Sequence, residues 1–241
     1  MLGRPMLERL GCLLVAGVLA TLLPGLGTPA SAATHHVRLD GVTATLASGT
    51  HQVITVNHTG GDRARVTLWV WHAGRGWRRV AQSTDGRIGY GGLVAGWKRK
   101  QGSGATPLGT FRLISSFGTH RAHASWKLPY RRIAPGDYWV EDNGSAFYNR
   151  YRNKAEGGFR WWLSTSDVNN SELLSSFPGQ YEYSIVTSFN LNQVRHRGAG
   201  IFLHVNGSGA TAGCVSAPRW FLQRTMAVLN PQWRPAIAVG R

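Results

Sequence analysis

Thirty-one glycines cut this chain into short runs rich in β-branched and aromatic residues. Glycine weakens a helix interior by roughly 1 kcal/mol relative to alanine, yet it supplies the positive-φ positions that tight turns between strands require. With ten tryptophans and only 16% charged residues, the pattern favours a glycine-turned, mainly β domain over a helical bundle or coiled coil. The 241 residues, 42% of them hydrophobic, are enough for one sizeable core. Gln52, Ile54 and Val56 alternate with Val53, Thr55 and Asn57, which reads as a strand. Residues 65–72 and 77–81 flank the turn Ala73-Gly74-Arg75-Gly76 and read as a hairpin. Residues 181–189 and 199–205 read as core strands. Residues 219–229, opened by Pro218, read as the one helix. The glycine-rich stretch from Gly86 leads into Lys98-Arg99-Lys100, which reads as an exposed loop. Residues 142–179 are polar and irregular, long enough for a lid over a site or a structured insertion.

The start of the chain has a different character. Arg4 and Arg9 precede an uncharged apolar run from Leu10 to Leu23, and Ala30-Ser31-Ala32 follows as a small-residue cleavage signature. This is the pattern of a secretory signal peptide over residues 1–32; the apolar run is shorter than the roughly 20 residues a membrane span needs. The sequence therefore predicts export after cleavage, a short lead-in over 33–47, and one domain over 48–241. Cleavage removes Cys12 and leaves Cys214 as a lone thiol in an oxidising compartment, with no intramolecular disulfide partner. Such a cysteine is a buried inert residue, an intermolecular disulfide, or a nucleophile.

Charge points to an anionic setting. Loss of residues 1–32 removes two of 27 basic and one of 11 acidic residues, leaving an excess of 15 positive charges. That surface is drawn to anionic polymers, for an exported protein those of a cell wall. The basic residues are scattered and form no pattern of a nucleic-acid-binding module, so no specific nucleic-acid partner is expected.

One stretch carries chemistry. His204 closes an apolar run, and Cys214 follows after a loop built almost wholly of small residues. A histidine and a cysteine at the two ends of such a loop can meet, letting the imidazole take the thiol proton. The backbone N–H groups of Gly213 and Cys214, just before the predicted helix, are candidates for an oxyanion site.

Thr211-Ala212-Gly213-Cys214, with His204 upstream, resembles the signature of the L,D-transpeptidase catalytic domain (the YkuD-like family), in which a strand-borne histidine precedes a Ser/Thr-His-Gly-Cys box. Thr106-Pro107-Leu108-Gly109-Thr110-Phe111 is similar to a second element of that family, in the right order, and the likeness spans about residues 48–218. The box is divergent: Ala212 stands where the family has histidine, and the ten-residue interval from His204 to Cys214 is short. Ser216 and Ala217 occupy the stretch where an arginine often helps bind the donor, with Arg219 the nearest substitute. The resemblance implies a β-sandwich or barrel with a short C-terminal helix, and an exported, wall-associated enzyme acting on peptidoglycan stem peptides. It implies that Cys214 forms a thioester with a stem tetrapeptide, releasing D-alanine and passing the acyl group to an acceptor amine. His204 would be the base, oriented by a main-chain carbonyl such as that of Val205, and Thr211, Ser216 and Val205 would lie along the substrate. It implies neither a metal nor an organic cofactor. Water as acceptor would make the protein an L,D-carboxypeptidase; a non-enzymatic cell-wall-binding protein is the other alternative. The serine-acyltransferase elements S-x-x-K, S-D-N and K-T-G and the zinc motif H-E-x-x-H are absent.

Overall fold

A computed structural model describes residues 33–241; residues 1–32, where the sequence predicts a signal peptide, lie outside the described residues. The chain opens on a hairpin, β1 (Thr34–Leu39) and β2 (Val42–Ala47), where the sequence predicts only a lead-in. Its cause is local. Asp40 and Gly41 both take positive φ, 51° and 84°, the two-residue turn whose twist matches that of the flanking strands. Along β2, Val42, Ala44 and Leu46 are buried while Thr43 and Thr45 are exposed. The inward side chains cover Val53, Ala236 and Ala238, and the Asp40 carboxylate accepts hydrogen bonds from Arg65 Nε at 2.8 Å and from the Thr67 hydroxyl at 3.1 Å.

An antiparallel meander follows, β3 (Gln52–Gly60), β4 (Arg63–His72) and β5 (Gly76–Arg87), and then β6 (Leu93–Ala95), the long β7 (Thr106–Gly118) and β8 (Tyr130–Arg132). The next three strands, β9 (Asp137–Trp139), β10 (Tyr151–Asn153) and β11 (Glu172–Leu173), leave to form a small sheet of their own. The chain returns through β12 (Tyr183–Thr187), β13 (Phe202–Val205), β14 (Val215–Ala217), helix α1 (Arg219–Val228) and β15 (Ala236–Gly240).

The main sheet closes. Its order runs β12-β13-β14-β5-β4-β3-β15-β7, and β7 pairs back onto β12, so eight strands make a barrel with no free edge in the ring. Strand alternation divides the apolar residues between two layers. Leu203 and Val205 of β13 and Val215 and Ala217 of β14 face the barrel core, into which Phe221, Leu222 and Met226 of α1 also pack. Phe202 and Cys214 face the other way, against Trp139, Tyr148, Leu174 and Tyr181. Segment 137–181 is thus a structured cap on the outer face of the barrel.

The hairpin over 34–47 belongs to the folded unit, and Leu46, 1% exposed, tests this. Leu46→Ala should cost about 2–5 kcal/mol by chemical denaturation; a loosely attached lead-in would give a change within about 0.5 kcal/mol.

Candidate active site

Strands β13 and β14 are parallel, with Leu203 opposite Val215 and His204 opposite Ser216. The connection between them has to run back along the length of the strand, which brings Cys214 level with Phe202. The Phe202 N–H donates to Cys214 Sγ at 3.3 Å, and the thiol donates to the Gly200 carbonyl at 3.1 Å. Since side chains alternate along a strand, Phe202 and His204 share one face, the one Cys214 also takes. His204 and Cys214 accordingly line a single cleft of about 350 Å³.

The return loop is pinned from below. The hydroxyls of Thr211 and Thr106 both donate to the Cys214 carbonyl, at 2.7 and 3.2 Å, and Thr106 Oγ1 accepts the Gly89 N–H at 2.8 Å. Gly89 lies so close beneath that a Cβ there would collide with the Gly104 carbonyl and stand 2.9 Å from Gly213 Cα. The Thr106 element and the glycine-rich stretch therefore serve one purpose, to hold the loop that carries the thiol.

His204 Nδ1 is 2.8 Å from the Val205 carbonyl. A carbonyl only accepts, so Nδ1 carries the proton and the Nε2 lone pair is left for the cleft. Burial holds the imidazole at a pKa of about 4 despite that hydrogen bond. The Cys214 thiol is pushed up to about 12, chiefly by burial and next by the negative Glu172; the Phe202 N–H and Arg99 act against this. At neutral pH both groups are uncharged, and among the described residues no hydrogen bond joins them.

The other expected site residues divide. Thr211 lines the cleft, while Val205 contributes its carbonyl and turns its side chain into the barrel core. Ser216 does not reach a substrate: it is fully buried, and its hydroxyl donates to Asn206 Oδ1 at 2.7 Å. The expected oxyanion pair is reduced, because the Gly213 N–H donates to Thr211 Oγ1 at 3.2 Å. Strand β14 and Pro218 also separate Cys214 from the helix. Arg219 is no substitute for the missing arginine, since its guanidinium pairs with Glu182 at 2.6 Å outside the cleft. Ala212 sits exposed at the rim.

Three ionisable groups of the cleft carry no motif. Arg99, expected in an exposed loop, is 6% exposed while Lys98 and Lys100 on either side are exposed. Its Nε donates to the Ala105 carbonyl at 2.7 Å and its Nη1 to the Arg197 carbonyl at 3.2 Å. Glycine at 198 and 213, both at positive φ, makes room for it: a Cβ on Gly213 would stand 2.6 Å from Arg99 Nη2. The positive charge that the sequence lacks after the cysteine is thus delivered from more than a hundred residues upstream. Glu141 and Glu172 enter from the cap, with Tyr181. Trp161 and Trp162, in the same segment, are exposed and stand outside the cleft.

The model of the L,D-transpeptidase catalytic domain family, YkuD, matches residues 51–230, three-quarters of the chain, and the protein belongs to this family. No curated protein matches the chain. Among solved structures it is similar to the helical cell shape determining protein Pgp2 from Campylobacter jejuni, at 14% identity and a TM-score of 0.42 over 87% of this chain and 50% of that one. The chain spans half the length of that structure.

The raised thiol pKa sets a pH dependence. Alkylation by iodoacetamide follows the thiolate, so its rate should climb about tenfold per pH unit from about pH 7 to 10 without levelling. Glu172→Gln, which removes a negative neighbour, should shift the profile to lower pH. A plateau near pH 8.5, the range of an ordinary cysteine, would contradict this.

Proposed function

We propose that this protein is an exported peptidoglycan L,D-transpeptidase with Cys214 as nucleophile and His204 as base. The observation that carries the proposal is the placement of the lone thiol of the described residues in one cleft with an imidazole whose Nε2 is unprotonated and turned to that cleft. Family membership supports the substrate class. Export and wall association rest on the N-terminal pattern and the excess of basic residues.

Neutral thiol and neutral imidazole are the resting state, so proton transfer accompanies attack. The thiol leaves the Gly200 carbonyl and gives its proton to His204 Nε2. Sulfur bonds to the carbonyl carbon between the third and fourth residues of a stem tetrapeptide. The oxygen's negative charge is received by the Cys214 N–H, the main-chain donor that remains of the expected pair. As the carbon–nitrogen bond breaks, His204 returns the proton to the leaving nitrogen and D-alanine departs. Arg99 supplies the positive charge for the carboxylate that the donor carries at its C-terminus. An amine then takes the acyl group, forming the cross-link and releasing the thiol.

With a tetrapeptide donor and an amine acceptor, Cys214→Ala should abolish product formation, because no other group on the cleft can form the thioester. His204→Ala should lower it by roughly 10²–10⁴-fold, read by mass analysis of the products. Ordinary turnover by Cys214→Ala would refute the assignment. Tripeptide as the sole product, with or without amine, would make the protein an L,D-carboxypeptidase.

A further inference from the structure

Ionisable groups converge on the cleft without pairing with one another. Among the described residues, no ion pair or hydrogen bond joins Arg99 to Glu141 or Glu172, and Arg99 Nη2 has no partner although the residue is 6% exposed. Glu172 Oε1 is buried and unpartnered. Neither carboxylate oxygen of Glu141 is hydrogen-bonded by a described residue. Its Oε1 would stand 3.0 Å from a Cβ on Gly200, the residue whose carbonyl accepts the thiol, so this carboxyl group lies next to the nucleophile. A buried polar atom left unpaired is costly, and Glu172 Oε1 is in that position; the half-buried Glu141 carboxyl and Arg99 Nη2 line the same cleft without a hydrogen-bond partner among the described residues. Carboxyl groups on one wall and a guanidinium on the other suit a ligand that brings its own charges.

We propose that Glu141 and Glu172 form a subsite for a primary ammonium group on the acyl acceptor, and that Glu141 takes its proton next to the Cys214 thioester. This rests on the transferase reading given above and adds to it the residues that activate the second substrate. An amine arrives at neutral pH as ammonium, which has no lone pair and cannot attack. Proton transfer to Glu141 leaves a neutral amine in the cleft. Its nitrogen bonds to the thioester carbon and the carbon–sulfur bond breaks. The nitrogen's surplus proton passes through His204 to the departing sulfur, so one amide and one thiol result, and Glu141 afterwards releases its proton to water.

The surroundings suit a base of this kind. The groups that bear on Glu141 are Glu172, Arg99, Tyr148, Tyr181 and Cys214. Burial, and next the negative Glu172, raise the Glu141 carboxyl to about 8, against the opposing pull of Arg99. Burial raises Glu172 to about 7, against the Tyr181 hydroxyl beside it. Glu141 is thus mostly protonated at neutral pH until the incoming ammonium group favours its ionised form, and a carboxylate in that range then accepts a proton far more readily than an ordinary one.

The experiment follows the partition of the acyl-enzyme, formed from a tetrapeptide donor, between water and an added acceptor. Two acceptors are compared: ethanolamine, which is protonated at neutral pH, and hydroxylamine, which is uncharged. Glu141→Gln should lower the ratio of transfer to hydrolysis for ethanolamine by roughly 10²-fold, and should change that for hydroxylamine by less than about twofold. Raising the pH toward about 10, where more ethanolamine is free amine, should restore much of the loss. Glu172→Gln should weaken ethanolamine saturation rather than the limiting ratio. Equal losses for both acceptors would show a merely structural role and overturn the proposal, as would an unchanged ethanolamine ratio. If the unaltered protein forms no acyl-enzyme, the transferase reading and the subsite fall together. If it does and the variants do not discriminate the acceptors, only the subsite falls.

Discussion

The parallel pairing of β13 with β14 is the constraint on which the site depends. Neighbouring antiparallel strands can be joined by a tight turn, but neighbouring parallel strands need a connection that travels back. Here that connection is made of small residues and no helix, and it ends with Cys214 level with Phe202. Two-residue alternation then puts thiol and imidazole on one face of the barrel wall, while their sequence neighbours fill the barrel core. The short interval from His204 to Cys214 is the length needed for a return over so short a strand.

That placement carries an electrostatic consequence. The cap laid over the outer face buries the thiol and the imidazole together, which raises one pKa and lowers the other. The pair therefore rests uncharged at neutral pH. Such a thiol is protected from indiscriminate alkylation. The same cap delivers Glu141 and Glu172, and the loop before β7 delivers Arg99, so the polar lining comes from segments distant in sequence from the box that carries the thiol.

Much of this was legible in the residues. The β architecture and the helix after Pro218 follow from alternation and from the proline at the helix start, and the small-residue loop points to the meeting of Cys214 and His204 in one cleft; the contact of His204 with the Val205 carbonyl was an expectation of the family resemblance. The helix ends at Val228, one residue short of expectation. What stayed hidden has physical reasons. The hairpin over 34–47 uses valine, alanine and leucine between threonines, a weak hydrophobic alternation, although Asp40-Gly41 is a strong turn signal. Arg99 stands between two lysines in a charge run, and only the space left by Gly198 and Gly213 turns it inward. Glu141 and Glu172 lie in a polar segment with no local pattern; the cap's packing alone brings them to the thiol. Ser216, which the resemblance set along the substrate, is buried within β14, and its hydroxyl is taken by Asn206.

The central claim is that Cys214 carries the acyl group. Intact-protein mass spectrometry after incubation with a disaccharide tetrapeptide tests it most directly. The account predicts a mass increase equal to the donor less D-alanine, located on Cys214, removed by hydroxylamine as a thioester would be, and absent from Cys214→Ala. Release of D-alanine without an adduct on Cys214, or an adduct on another residue, would contradict it.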